Sequence, residues 1–489
     1  MKYISTRNKD VSLTASQAIA QGLARDGGLL TPEVLPKLPA GLLADLAKRP
    51  YAERAVAIMG LFLDDFSEEE LRAFTSAGYG PDKFDDRRVA PLTTLDDDTY
   101  CLELWHGPTS AFKDMALQIL PHLLTASLVK NDEKRTVCIL VATSGDTGKA
   151  ALVGFRDVPG VKICVFYPDG GVSQVQRAQM VTQEGGNVAV CAVRGNFDDA
   201  QTGVKQIFTA FRDKALPFRL SSANSINIGR LAPQVMYYFR AYKDLLAAGK
   251  IRLGDRVNFS VPTGNFGDIL AGYLAKRMGL PVGMLICASN ANNVLTDFIT
   301  TGTYDRRRPL LKTTSPSMDI LVSSNLERLL YLLSGDTELV AGLMRQLKED
   351  GVYTVPETLK AAIGREFWAA YCDDDRAAEI IGRVYREEHY LCDPHTASGF
   401  AAAEDYVRAT GDKAPMVVLS TASPYKFPAA VLRAIGGDTG GTEFEQMARL
   451  EKITGVPIPA PLAALQGKPE LHTDVIEKED MPAYVLGLE

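Results

Sequence analysis

No apolar run in this sequence approaches the roughly 18 residues that a membrane-spanning helix needs; the longest, such as Ala55 to Leu63, are far shorter. The opening residues Met1-Lys2-Tyr3-Ile4-Ser5-Thr6-Arg7 contain no apolar signal core, so a soluble, cytoplasmic protein is expected. An excess of basic residues is also missing. With 53 Lys+Arg against 60 Asp+Glu the formal net charge is −7, which gives no electrostatic argument for nucleic acid or an anionic membrane as a partner. Cysteine is sparse and odd in number, with seven residues at 101, 138, 164, 191, 287, 372 and 392. Most sit inside apolar runs such as Val137-Cys138-Ile139-Leu140-Val141, as buried thiols of a reducing compartment do, and they do not suggest a disulfide framework. Repeats and low-complexity tracts are lacking, and 46% hydrophobic with 23% charged residues excludes a disordered chain.

What the sequence does contain is a series of short apolar runs that read as buried strands: 137–141, 161–167, 188–193, 257–261, 282–287 and 416–419. Stretches of helical spacing lie between most of them, as in 268–278, where Ile269, Leu270, Tyr273, Leu274 and Met278 share a stripe. Strands alternating with helices predict parallel sheet with helices on both faces. The first hundred residues lack this alternation and read as mainly helical (42–48, 51–63, 68–77), and the last fifty show little period. A length of 489 residues predicts two to three domains, with the chemistry expected in residues 100–435.

Two of the strands run into loops of one design, in which Gly, Ser, Thr or Asn lead at once into a helix. Backbone N–H groups at a helix N-terminus have no intrahelical partner and carry the positive end of the dipole, so such a loop holds an anion without a basic side chain. One is Thr143-Ser144-Gly145-Asp146-Thr147-Gly148, which is not a Walker A loop because Thr143 and Ala150 stand where Gly and Ser or Thr are required. Another is Pro262-Thr263-Gly264-Asn265-Phe266-Gly267-Asp268; with no G-x-G-x-x-G after a strand, a single phosphate suits it better than a dinucleotide. For each loop alone an ordinary tight turn is the competing reading. Lys113, between Ala111-Phe112 and Met115-Ala116-Leu117, stands in an apolar setting that lowers the pKa of an amine toward that of a nucleophile and base, although a lysine snorkelling from a helix start would look the same. A semi-buried lysine, two anion loops and no metal or nucleotide motif together suit an aldehyde cofactor with a phosphate tail. His389, Cys392 and His395 are too few for a structural zinc, so no metal is expected. His106 reads as a turn residue, Arg306-Arg307-Arg308 as a solvated loop that could steer a phosphomonoester, and Ser317-Met318-Asp319-Ile320 with Asn325 as weak candidates for the site.

Five ordered runs, HGPTSAFKDMALQ (106–118), ATSGDTGKAA (142–151), SANSINIGRLAPQ (222–234), VPTGNFGD (261–268) and LSTASPYKF (419–427), together with Arg25-Asp26-Gly27-Gly28-Leu29, resemble the threonine synthase family of pyridoxal-phosphate enzymes. The likeness covers most of the chain. It departs at Ser110 and at Ser423-Pro424-Tyr425, where relatives commonly read PTLAFKD and TAHPAKF. The resemblance implies an α/β fold of type II, tryptophan synthase β-like, with two open twisted parallel-sheet domains behind an N-terminal mainly helical segment. The corresponding division is 1–95, 96–235, 236–435 and a C-terminal tail 436–489 packed on the body. It implies pyridoxal 5′-phosphate joined to Lys113 as the catalytic residue, its phosphate on Gly264, Asn265, Phe266, Gly267 and Asp268, its ring nitrogen facing Thr421 and its ring hydroxyl near Asn224. Thr109, Ser144, Asp146, Thr147, Ser225 and Arg230 become candidates for the substrate. The implied reaction is the last step of threonine biosynthesis, a β,γ-replacement turning O-phospho-L-homoserine and water into L-threonine and phosphate, in a monomer or homodimer. Two alternatives share these residues: another fold type II lyase such as a threonine or serine dehydratase, and a non-catalytic synthase-like protein that binds a phosphorylated ligand.

Overall fold

The computed structural model describes residues 1–46, 48–211, 214 and 216–488. The chain opens with a small antiparallel sheet of β1 (Tyr3–Ser5), β2 (Asn8–Leu13) and β3 (Leu30–Pro32), in the order β2-β1-β3. Helices Leu42–Leu46, Tyr51–Gly60 and Glu68–Gly78 follow, close to the predicted spans; residue 47 of the first lies outside the described residues. Ser67 and Glu70 form a capping box that fixes the start of the third. The three-stranded sheet is a finding beyond the expected helices. Its strands are either three residues long or, as in Asn8–Leu13, mostly polar and exposed, so no apolar run announces them.

The chain then builds two larger sheets by turns. β4 (Leu92–Thr94) and β5 (Thr99–Glu103) belong to the first, and β6 (Thr136–Ala142), β7 (Val161–Pro168), β8 (Val188–Val193) and β9 (Phe218–Ser222) to the second. β10 (Val257–Pro262) and β11 (Val282–Ser289) return to the first sheet, β12 (Thr303–Asp305) and β13 (Val352–Thr354) pair separately, β14 (Phe367–Tyr371) and β15 (Met416–Ser420) complete the first sheet, and β16 (Val475–Ile476) joins the second. The first sheet runs β14-β11-β10-β15-β5-β4 and is parallel except at β4, while the second runs β16-β8-β7-β6-β9 and is parallel throughout. All six apolar runs read from the sequence are strands here. They are continuous and not alternating because helices cover both faces, so side chains pointing either way are buried.

The tail is more regular than its sequence period suggested. Helix Glu443–Thr454 is closed by a Thr442/Glu445 capping box and a left-handed Gly455. β16 lies along β8, and Met481 and Val485 bury themselves in a cluster with Phe166, Cys191, Val193 and Ile207. All seven cysteines are buried and unpaired. Among the described residues no helix is long and apolar enough to cross a membrane.

Candidate active site

Lys113 is positioned by a continuation of the β5–β15 pairing past the ends of both strands. Leu104 N–H donates to the Ser420 carbonyl at 2.9 Å, Phe112 N–H to Thr421 at 2.8 Å and Ser423 N–H to Ser110 at 3.1 Å, and Ala111 bridges to Ala422. The turn between needs Ser110 at φ 57 and a glycine at 107, where a Cβ would fall 2.5 Å from the Asp114 side chain. Asp114 closes it by accepting both the N–H and the hydroxyl of Thr109 at 2.8 Å. These bonds hold Lys113 beside Thr421 at the head of helix Asp114–Leu117 with only 9% of its surface exposed. Burial lowers the pKa of its ammonium to about 8, opposed by Asp146 and assisted by Arg230 and Lys426.

The loop after β6 folds around its own threonine. Thr143 Oγ1 accepts N–H bonds from Gly145 at 3.0 Å and Gly148 at 2.9 Å, and helix Asp146–Phe155 starts there. The Asp146 carboxylate takes Lys426 Nζ at 2.6 Å and Gln176 Nε2 at 2.9 Å on one oxygen; on the other it takes Ser317 Oγ at 3.2 Å and lies 3.9 Å from Lys113 Nζ. Burial alone would raise its pKa, yet Lys426 and Lys113 hold it well below the usual carboxylate range.

The loop after β10 is pulled open by its carbonyls. Gly264 C=O accepts Ser323 Oγ at 2.7 Å, and Asn265 C=O accepts Asn325 N–H at 3.0 Å and Nδ2 at 3.1 Å. Phe266, left-handed at φ 62, then turns the chain into helix Gly267–Met278, and a helix start of this kind suits an anion. A Cβ at Gly264 would stand 2.6 Å from the Ser317 carbonyl. Asp268 at this helix start is buried, which raises its carboxyl to about 6.

These loops meet in one cavity of about 680 Å³ at the carboxyl ends of the strands. Every residue predicted for the site lines it except Thr109 and Phe266. Thr109 is fully buried with its hydroxyl spent on Asp114 and its carbonyl on Lys426 and Gln179, so it supports the Lys113 turn. Phe266 contributes its backbone, while its ring packs 5.5 Å from that of Phe367. Three buried atoms in the cavity's residues, Ser221 Oγ, Asn224 Oδ1 and Arg230 Nε, have no partner among the described residues; Arg230 Nη1 donates to the Ala223 carbonyl at 2.8 Å. Groups of this kind are open to a partner from a ligand in the cavity.

The remaining candidates divide: Ser317, Met318, Asp319 and Ile320 line the cavity, whereas His106, Arg307, Arg308 and Asn325 do not. His106 is clamped between Asp85 at 2.5 Å and Glu103 at 2.7 Å. Arg307 pairs with Asp305 and Arg308 with Asp297, while Arg306 lines the cavity. Asp319 accepts from Thr313, Asn290 and Asn292, and Asn325 braces the β10 loop. His395, whose segment 392–399 reads in the sequence as a loop into a helix near the site, lines the cavity: its Nδ1 bonds Asp393 at 2.6 Å and its Nε2 accepts Ser317 N–H at 3.1 Å. Lys426 was passed over as well; its signal was a lysine inside the apolar run Tyr425-Lys426-Phe427.

Comparison with known proteins agrees with this arrangement. The family profile "Threonine synthase N terminus" matches residues 2–79, "Pyridoxal-phosphate dependent enzyme" matches 87–422 and "Threonine synthase, C-terminal" matches 396–484. Threonine synthase of Pseudomonas aeruginosa is 43% identical over 89% of this chain and 90% of its own length. Threonine synthase-like 1 of Macaca fascicularis is 40% identical over 88% of this chain, which spans 60% of that longer protein. The crystal structure of pyridoxal-phosphate-bound threonine synthase from Brucella melitensis superposes with a TM-score of 0.88 at 39% identity, covering 100% of this chain and 99% of that one. A fold of type II with this lysine, these loops and these relatives leads to one assignment: the chain belongs to the threonine synthase family of pyridoxal-phosphate-dependent enzymes.

Proposed function

We propose that the chain converts O-phospho-L-homoserine and water into L-threonine and inorganic phosphate, with pyridoxal 5′-phosphate held on Lys113. The observation that carries this reading is the convergence, in one cavity, of a buried lysine of weakened basicity with two strand-to-helix anion loops. The residues suit the cofactor. Lys113 would bond its aldehyde carbon, the Gly264–Asp268 backbone its phosphate, Thr421 its ring nitrogen and Asn224, with its unpartnered Oδ1, its ring hydroxyl. When bound, the cofactor supplies an electron sink for bond-breaking at the substrate's Cα.

The rest of the work falls to this chain's own groups. Near neutral pH an amine whose pKa is about 8 keeps a useful neutral fraction, so Lys113 Nζ can take a proton from the substrate's α-carbon and then from its β-carbon. Thr421 offers the ring a hydroxyl in place of a carboxylate and so does not hold a proton there. Ser144, Thr147, Ser225 and Arg230 are proposed for the substrate's two anionic ends, with Arg230 Nε as the unsatisfied donor that a phosphate or carboxylate would complete. Aligning the leaving phosphate in such a pocket favours γ-elimination over loss of a β-substituent.

The test is to mix the cofactor-loaded protein with O-phospho-L-homoserine and follow phosphate and threonine together. Equal release is expected, and Lys113→Ala is expected to abolish both turnover and the cofactor's lysine-linked absorbance. Phosphate without threonine, turnover surviving in Lys113→Ala, or ammonia and a keto acid formed from threonine instead would each overturn the proposal.

A further inference from the structure

Two lysines compete for one buried carboxylate in this site, and the competition is uneven. Lys426 Nζ lies 2.6 Å from Asp146 Oδ1, in direct contact, while Lys113 Nζ lies 3.9 Å from Oδ2, beyond hydrogen-bond reach. We propose that Lys426 is a positioning residue: by taking the charge of Asp146 for itself, it leaves the neighbouring Lys113 free to act as nucleophile and base. The inference rests on the reading of Lys113 as the cofactor-linked lysine.

The fold makes the pairing rigid. Lys426 ends the short 3-10 turn Pro424–Lys426, directly after the Thr421–Ala422 segment that pins the Lys113 turn. Ser423 Oγ accepts the Tyr425 N–H at 3.3 Å, and the Tyr425 hydroxyl donates to the Val456 carbonyl, fixing the base of the turn. The Lys426 side chain is fully buried, and its ammonium also donates to the Thr109 carbonyl at 3.1 Å. It therefore ties the Lys113 turn and the Asp146 helix together as well as balancing charge. A buried ammonium persists only with a counter-ion, and Asp146 is its one ion-pair partner among the described residues. By the same rule, a buried Asp146 stripped of Lys426 would take the next cation, which is Lys113.

The charged groups facing Lys113 come from every element around it. They are Asp146 on helix Asp146–Phe155, Arg230 on helix Ile228–Leu231, Lys426 on its turn and Asp268 on helix Gly267–Met278, with Asp114 next in its own helix; Asp319 and His395 line the same cavity. Asp146 and Lys426 cancel each other. Burial then disfavours the ammonium of Lys113 and Arg230 adds repulsion, consistent with an amine that loses its proton near pH 8.

The experiment measures cofactor attachment, which needs the neutral amine but no substrate. Cofactor-free protein is mixed with pyridoxal phosphate from pH 6.5 to 10, and the rate of lysine-linked absorbance gain is fitted for its midpoint, expected near 8 in the parent chain. Lys426→Met is expected to raise the midpoint by about one unit or more, slowing attachment at pH 7 by about tenfold. Lys426→Arg should stay close to the parent, and the double variant K426M/D146N should bring the midpoint back down. Should Lys426→Met fail to fold, Asp146→Asn alone decides: it removes the carboxylate that would hold a proton on Lys113, and Lys426 either stays charged beside it or sheds its own proton, so the midpoint must not rise. An unchanged midpoint in folded Lys426→Met, or a raised one in Asp146→Asn, would overturn the inference. Attachment persisting in Lys113→Ala would instead remove the reading on which it rests.

Discussion

His106 has a carboxylate on each ring nitrogen, Asp85 on Nδ1 and Glu103 on Nε2, and its ring stacks on Trp105 with 4.2 Å between centroids. Both nitrogens can donate only if the ring is an imidazolium. Burial pulls its pKa down, but the two carboxylates outweigh that and raise it from 6.5 to about 9. A folded-state pKa above the unfolded one gives stability that is full below pH 6.5 and is lost as pH rises through about 9. Roughly 1–3 kcal/mol is at stake for a partly buried group of this kind. In the cofactor-free chain Lys113 works the other way, since its lowered pKa makes stability rise between about 8 and 10.5; comparing variants at each pH cancels this. His106→Gln is therefore expected to melt well below the parent at pH 6 and to close the gap by pH 10, as thermal melts across that range will show. A gap that does not change with pH would mean that the imidazole packs but carries no charge. At this scale the sequence showed Lys113, because a lysine among Ala, Phe, Met and Leu is conspicuous. It did not show that Thr109 spends its hydroxyl on Asp114, or that Lys426 shares a carboxylate with Lys113, because sequence distance carries no information about who meets whom.

Elements were legible in proportion to their burial. β6, β7, β8, β10, β11 and β15 are apolar on both sides and could be read directly, whereas β9 (FRLSS) is polar at three of its five positions and β5 (TYCLE) mixes charge with apolar residues, so neither forms a continuous run. The loop after β10 was recognised by its glycines, and the structure separates their uses. Phe266 takes the left-handed position that a glycine might have filled, and Gly264 is required for space alone. In Gly264→Ala the new methyl would lie 2.6 Å from the Ser317 carbonyl, so the turn Pro316–Met318 must move away from the phosphate loop. The lysine is untouched, so attachment should still occur. Retention of the cofactor should weaken by about tenfold or more, in line with losing one or two anion-directed hydrogen bonds. Equilibrium titration of the cofactor's absorbance checks this; unchanged affinity would show that the loop tolerates the methyl and that Ser317 yields freely.

Across the whole molecule, alternating strands and helices foretold parallel sheets but not that the chain leaves one sheet, builds another and returns. Nor could they show how the N-terminal segment is held to the site. The contact is Arg328, fully buried in helix Leu326–Ser334. Its guanidinium donates to the Leu30 carbonyl at 3.1 and 2.9 Å, to Ser225 at 3.2 Å, to Ile226 at 2.5 Å and to Asn325 Oδ1. One side chain thus joins the N-terminal sheet, the loop carrying Asn224 and Ser225, and the residue that braces the phosphate loop. Its neighbour Glu327 adds a bidentate pair with Arg7, at 2.8 Å on both oxygens. Arg328→Met keeps much of the volume but takes the guanidinium away from three carbonyls, the buried one of Leu30 and the part-buried ones of Ser225 and Ile226, a loss of about 3 kcal/mol. The urea midpoint should fall accordingly, and cofactor affinity should fall with it because the Asn325 brace is freed. Arg328→Lys restores the charge without the planar fork, so it should recover only part of either quantity. Full recovery by lysine would show that charge alone, and not the forked geometry, joins the N-terminal segment to the site.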